Sequence, residues 1–506
     1  MNAETRAPQH TDVTVVGAGP VGLGLARLLG LQGHSVVVIE RQNAPYPLPR
    51  AVVFDDEIGR IFQNMGLAEQ VRKISAPVPD HYEWRNRDGR TLLSMDWSGT
   101  GNCGWPVESF FAQPELERVL AESLEEMDTV TVLRGTELVS LEDQGDSLTA
   151  ECIGPNGDFE IEAQFLIGCD GSKSTVREAL GIQMKDLGFR YDWLIVDTLP
   201  QDDLEWSPQN WQLCDPRRPT TLVSGGVGRR RWEFMRLPGE DPAELNTEER
   251  AWELLRGWDR TAENTEIERR ALYTFTACWG QTWNRGRAAI AGDAAHQMPP
   301  FAGQGMCSGL RDVANLAWKL DLTLTGSAGP AILDTYTSER SLHIRYAIAM
   351  SVALGQVICV LDEDQAEDRD QRMLAGGGDP AKVLPLTESP VLGDGITDRA
   401  AASASNKGTL APQFAVADGL LDEVTGPGAV LLTKNHRSDI RPRSFSIEEL
   451  GDPTGAWTRW FDEIDADAVM IRPDHYIFGV ADASRAAALY DRYTAAFTST
   501  MVPTTI

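Results

Sequence analysis

Residues 286–320 read GRAAIAGDAAHQMPPFAGQGMCSGLRDVANLAWKL, and this stretch decides the fold. The apolar run 287–291 predicts a short buried strand. Gly292 and Asp293 then turn the chain, and Pro299 and Pro300 hold it extended. Gly303, Gln304 and Gly305 open a helix expected to run through Asn315 and Trp318. A glycine-rich loop at a helix N-terminus leaves several N–H groups unpaired and convergent. Such a point suits an anionic ligand atom or an electron-rich ring edge. Asp293, at the end of the strand, can accept a hydroxyl from the same ligand. The alternative is a purely structural strand–turn–helix.

Working outward, the N-terminus supplies a second unit of this kind. A β-branched strand at 12–16 runs into Gly17-Ala18-Gly19-Pro20-Val21-Gly22, an apolar helix at 23–31 and a strand at 35–39 ending in Glu40. Strand, G-x-G-x-x-G, helix, strand and acid in that order form a dinucleotide-binding signal. Gly17 makes the turn, Gly19 lets backbone approach a pyrophosphate, and Gly22 lets helix and strand pack closely. Glu40 can accept a ribose hydroxyl and disfavours a 2′-phosphate, so the nucleotide here is FAD or NAD rather than NADP. Pro20 and Arg41 border the same site.

The run G-D-A-A-H-x-x-P-P-x-x-G-Q-G resembles the second flavin-binding motif of the class A FAD monooxygenases, the single-component aromatic hydroxylases. The resemblance implies that Asp293 holds the ribityl or pyrophosphate side of FAD. It also implies that Pro300, Gly303, Gln304, Gly305 and Met306 pack on the isoalloxazine ring. The family usually carries Asn two residues after the second Gly of G-Q-G, where this chain has Cys307. Asp170-Gly171 through Arg177 resembles the family's third motif. Asp170 is then a pyrophosphate-side contact, and Arg177 opens toward solvent or the cofactor phosphates. By the same resemblance, Arg50 lies beside the flavin and the nicotinamide approach, and Gln113 reaches the ribityl hydroxyls. The residues alone leave Arg50 as a surface arginine and Gln113 as a helix-start residue, with Pro114 suited to the first turn.

Within that family the chain is most similar to the 3-(3-hydroxyphenyl)propionate hydroxylases. The stretches PRAVVFDDE, CGWPVESFFAQPELERVL, LCDPRRP, RRRWEFMRLPGE, LDTYTSER and VMIRPD carry the likeness. No second G-x-G-x-x-G appears, so a standing NAD(P)H site is not expected. The family's chemistry is transient reduction by NADH or NADPH, then hydroxylation of a phenolic ring through a flavin hydroperoxide. The substrate expected is 3-(3-hydroxyphenyl)propionate or a related phenolic acid, with O₂. Its carboxylate would be anchored by the basic islands Arg217/Arg218 or Arg229–231. Tyr273 is the first candidate to ionise the phenol, with Tyr191 and His296 as alternatives, and Arg50 and Pro300 stand at the reacting ring. A polyketide-tailoring or Baeyer–Villiger oxygenase on the same scaffold, and a non-catalytic flavin-fold binder, are the competing readings. A flavin halogenase is disfavoured because its W-x-W-x-I-P run is absent.

The fold expected is α/β: a Rossmann-like FAD-binding domain, an inserted antiparallel-sheet substrate domain and a C-terminal thioredoxin-like domain. The boundaries are 12–188 for the first part of the FAD domain and 189–278 for the substrate domain. Residues 279–361 form its second part with a long helix, 362–407 a linker, and 408–506 the C-terminal domain. At 506 residues the chain exceeds one ordinary core. Its net charge of −29 argues against nucleic acid and anionic membranes as partners. The seven cysteines show no paired spacing, which suits reduced thiols in the cytoplasm. No His/Cys cluster reads as a metal site. No cysteine follows Cys359, so the C-terminal domain is read as packing or dimer-forming rather than redox-active.

Overall fold

The computed structural model describes residues 9–45, 51–202, 206–384, 391–399, 406–437 and 441–498. In its first sheet the strand His10–Val16 lies between Gly157–Gly168 and Val36–Glu40, and Ala288–Ile290 and Val130–Arg134 extend it on either side. All of these pairings are parallel. The composition explains this arrangement. Val36, Val37, Val38 and Ile39 are all buried, so the strand hides both faces, as a helix-covered parallel sheet requires. The helix Pro20–Leu31 starts at Pro20, earlier than its apolar run suggests, because proline suits a first helical turn. It packs against Gln304–Leu324, the helix opened by the Gly303 loop.

The second sheet has eight strands and is antiparallel except at one pairing. Met184–Pro200 and Thr265–Gly280 form its long central pair, followed by Arg230–Met235, Thr220–Ser224 and Asn210–Cys214. Two further strands, His81–Asn86 and Thr91–Asp96, complete one edge, the first running parallel to Asn210–Cys214. This corrects the boundaries 12–188 and 189–278. Alternate residues Tyr82, Trp84 and Asn86 are buried, and that inward face needs the substrate sheet rather than the nucleotide sheet to cover it.

The linker expected at 362–407 is also corrected. Glu363–Ala375 is a helix with Asp362 capping its start. Its acidic composition hid a buried stripe of Ala366, Arg369 and Met373. The Arg369 guanidinium donates to the carbonyls of Val357 and Cys214, which ties this helix to the substrate sheet.

The helical stretch Pro330–Ile358 is long and apolar enough by composition to cross a membrane. It is nevertheless an interior helix, with Glu339, Arg340 and His343 buried along it. The C-terminal sheet runs Ser444–Ser446, Val430–Thr433, Ala468–Ile471, Ile477–Ala481, with the first pair parallel and the rest antiparallel. That is the thioredoxin-like order. It docks through buried charge. Arg472 donates to both oxygens of Glu339 at 2.9 and 2.8 Å, and Lys319 reaches the same carboxylate at 2.9 Å. Arg60 grips Asp422 at 2.6 and 2.9 Å, and the Tyr476 hydroxyl donates to Glu57 at 2.8 Å.

Candidate functional site

One large cavity begins where the parallel strands end, the usual place for ligands in such sheets. Its first wall is the loop Gly17–Pro20. Gly17 has φ +105°, and a Cβ there would sit 2.5 Å from the Cys169 carbonyl oxygen. A Cβ on Gly22 would lie 2.0 Å from the Gly17 carbonyl oxygen, so Gly22 packs behind the wall rather than facing the cavity. Gly19 differs: apart from its two chain neighbours, no residue comes within 4 Å of the position a Cβ would take. The space in front of it is open, as backbone approach to a pyrophosphate demands. Glu40 accepts from the backbone N–H groups of Ala18 and Gln42, at 2.9 and 2.8 Å. Its carboxylate is thereby fixed at the cavity edge beside Arg41.

The opposite wall carries Asp293, Pro300, Gly303, Gly305 and Met306. Gly303 is left-handed at φ +67°, where a Cβ would strike Val53 at 2.5 Å. Gly305, like Gly19, has nothing within 4 Å. The two open glycines face a cavity bounded by Glu40, Asp170 and Asp293, so the residues present fit a dinucleotide with a ring system at its inner end.

Five of the expected residues are placed elsewhere. Gln304 does not line the cavity; its amide donates to Asp55 and accepts from Arg311. Arg177 does not open outward. It is buried, and its guanidinium donates to the carbonyls of Ala294 at 3.1 Å and Ser172 at 2.9 Å, latching the Asp170 turn to the Asp293 turn. Tyr273 stands outside the cavity lining, its hydroxyl accepting from Arg269 at 3.1 Å. Tyr191 packs on Phe189, and His296 pairs with Asp312 at 2.6 Å in the interior. Arg50 lies outside the described residues.

Gln113 and Asp170 both line the cavity. Gln113 lines the cavity at the start of its helix, where its carbonyl accepts from the Ala51 N–H and its amide donates to Glu117. Asp170 accepts from Ser174 at 2.5 Å, and burial raises its carboxyl pKa. Cys307 is buried against the carbonyls of Val53 and Gly303, so the family's usual Asn is replaced by a side chain turned inward.

Beyond the glycines the cavity runs under the second sheet. Tyr82, Trp97, Phe110 and Phe301 give it an aromatic wall, with the Tyr82 and Trp97 rings 4.5 Å apart. The sheet itself contributes Gln212, Thr221, Val223, Arg231 and Glu233. Arg231 donates to Asp197 through Nε and Nη2, at 2.6 and 3.0 Å. Of the expected basic islands only Arg231 lines the cavity. Arg217 pairs with Asp215, Arg218 with Glu240, and Arg229 with Glu115 and Glu268. Glu233 went unrecognised in the sequence. The signal was present in R-R-W-E-F-M, where Arg231 and Glu233 alternate on one face of a strand.

A family model described as FAD binding domain matches residues 10–351, and one described as HcaD C-terminal domain matches 423–496. A relative from Rhodococcus jostii (strain RHA1), named a probable NADH-specific resorcinol 4-hydroxylase, is 36% identical, covering 96% of this chain and 95% of its own length. A 3-(3-hydroxy-phenyl)propionate/3-hydroxycinnamic acid hydroxylase from Mycolicibacterium smegmatis (strain ATCC 700084 / mc(2)155) is 32% identical, covering 96% of this chain and 92% of its own. Among solved structures, the flavin-dependent monooxygenase PieE, in complex with FAD and substrate, superposes with a TM-score of 0.80 over 97% of this chain and all of that one, at 22% identity.

Proposed function

Because the chain belongs to the FAD binding domain family and is an FAD-dependent aromatic hydroxylase, we propose that its substrate is a small monocyclic phenol with a second polar group meta to the first. The observation carrying this reading is that one cavity joins the dinucleotide cradle to an aromatic pocket with a polar sheet for its roof. FAD, when bound, supplies the reduction of O₂ and the transfer of one oxygen atom to the ring. The chain's own part is to bury the ring against Tyr82, Trp97, Phe110 and Phe301, exclude water and orient the hydroxyl toward the sheet.

Among the substrates named for the relatives, the charge arrangement favours resorcinol over a phenolic acid. Arg231 commits two N–H groups to Asp197, and Glu233 stands 3.7 Å from its Nη1. A carboxylate brought there meets an anion and a cation already paired. Losing about 1.4 kcal/mol to that repulsion is a factor of ten in the specificity constant. We take NADH as the donor, on the model of the relative named for it, and place the enzyme in the cytoplasm, in keeping with its seven unpaired cysteines.

The test is oxygen uptake with product analysis, using resorcinol, 3-(3-hydroxyphenyl)propionate and a polycyclic phenol, each with NADH and NADPH. Resorcinol should give the highest kcat/KM, by roughly tenfold over the acid. A preference for the acid refutes the charge argument. Oxidation stimulated by the polycyclic phenol alone replaces this reading with the tailoring hydroxylase.

A further inference from the structure

We propose that Glu233 is the catalytic base that takes the proton of the substrate phenol, an assignment resting on the phenol-hydroxylase reading above. Directly opposed residues on neighbouring strands share a face. Glu233 opposes Thr221 on one side and Ile195 on the other, and Thr221 opposes Gln212. Two residues along, Arg231 opposes Asp197, which in turn opposes Arg269. The cavity face of the sheet thus carries a polar row, Glu233–Thr221–Gln212, beside an ionic row, Arg231–Asp197–Arg269.

Asp197, at the centre of the ionic row, accepts twice from Arg231 and lies 3.6 Å from Arg269 Nη1. Glu233 has no such partner. Its side chain lines the cavity while the residue is only 5% exposed. Its nearest cation, Arg231 Nη1, is 3.7 Å away, beyond hydrogen-bond reach, and no described residue donates a hydrogen bond to its carboxylate. A buried carboxylate without a donor is costly unless a ligand supplies one. A phenol hydroxyl is such a donor.

The polar row has a direction. The Thr221 hydroxyl donates to the Gln212 carbonyl at 2.6 Å, and the Gln212 amide donates to the Tyr82 hydroxyl oxygen. The Tyr82 proton is then committed to no described residue and can be given to the substrate oxygen. Burial, and then the charge of Glu233, keep Tyr82 protonated. An acceptor for the phenol proton and a donor for the phenolate that remains therefore belong to one cavity wall.

Glu233 faces Arg231 on its own strand, Asp197 and Arg269 on the two central strands, and Tyr82 from the strand His81–Asn86. Burial pushes its carboxyl up to about 7; Arg231 and Arg269 draw it down and Asp197 raises it. A base of that strength is matched to proton transfer at neutral pH. The step breaks the phenol O–H bond and forms an O–H bond on Glu233, while the electron pair stays on the substrate oxygen. The proton returns to that oxygen as the trihydroxybenzene forms from resorcinol.

The test uses the full-length, FAD-loaded protein with resorcinol as probe, comparing wild type with Glu233→Gln and Glu233→Asp. Two readouts are taken against pH: kcat, and the ultraviolet difference spectrum of the bound phenolate without NADH or O₂. In the wild type both should rise through about pH 7. Glu233→Gln should lose both limbs, with kcat lower by about 10²–10⁴-fold, while Glu233→Asp keeps a limb. If Glu233→Gln does not retain FAD, Glu233→Asp decides, and absence of a limb there overturns the assignment. A limb or phenolate spectrum that survives in folded Glu233→Gln overturns it and leaves the hydroxylase reading standing. A wild type that oxidises no phenol overturns both.

Discussion

Lowering the pH from about 7 to about 4 should weaken the hold of the C-terminal domain, and His475 is the reason. Its Nε2 lies 2.7 Å from the Asn64 amide and its Nδ1 3.4 Å from Asp422. Burial, and then the charge of Arg60, depress the imidazole pKa to about 4. In the unfolded chain the same group titrates at about 6.5. Between those values the unfolded state binds a proton that the folded state refuses, so stability falls as the pH drops through this window. A gap of about 2.5 units at about 1.4 kcal/mol per unit is worth roughly 3 kcal/mol. The informative variant is His475→Asn. His475 sits at φ +67°, a left-handed conformation that asparagine tolerates, and asparagine does not titrate. Urea unfolding, followed by tryptophan fluorescence at several pH values, gives the stability of wild type and variant. The difference between them should shift by roughly 3 kcal/mol against the wild type between about pH 6.5 and 4. A difference that does not change with pH refutes the argument, because every other titrating group is common to both proteins.

Gly19→Leu should fold normally and fail to hold FAD: Gly19 has φ −80°, which any residue adopts, and only open cavity in front of it. Purification as a colourless protein with unchanged thermal stability, relative to wild type stripped of FAD, is the expected result; a yellow variant removes Gly19 from the cofactor site. Asp293→Ala should lower FAD affinity by roughly one to two orders of magnitude, since a hydrogen bond to a charged acceptor is worth about 1.5–3 kcal/mol. Titration of the stripped protein with FAD, read by flavin fluorescence, checks it, and unchanged affinity would show that Asp293 is not a ligand.

The nucleotide half of the site was legible because backbone geometry dictates its residues. Gly17 must adopt a positive φ, Gly22 must admit the Gly17 carbonyl, and Glu40 must end a strand; each requirement leaves a mark at fixed spacing. The substrate half was not, because alternation along a strand says that two faces exist without saying which one meets the ligand. Tyr273 and Glu233 both lie on strands of the second sheet, yet only Glu233 lines the cavity. Bulges in the long central pair, between Asp186 and Arg190 and between Asp197 and Thr198, further scramble that count. Arg472, Asp474 and His475 acquire their role only through Glu339 and Asn64, which are far away in the sequence.

The parallel pairing of His81–Asn86 with Asn210–Cys214 bears on how the molecule is assembled. A segment made early in synthesis must wait for more than a hundred later residues before its partner strand exists, and such long-range closure is slow. Until then the free edge of His81–Asn86 has no cover, and in any fragment lacking that strand the row of N–H and C=O groups on Asn210–Cys214 has none; either is a template for another chain. The substrate sheet is therefore not a module that can be cut out between residues 184 and 280. Expressed alone, that fragment would present the unprotected border and associate with itself, whereas a fragment beginning before residue 81 carries its own cover.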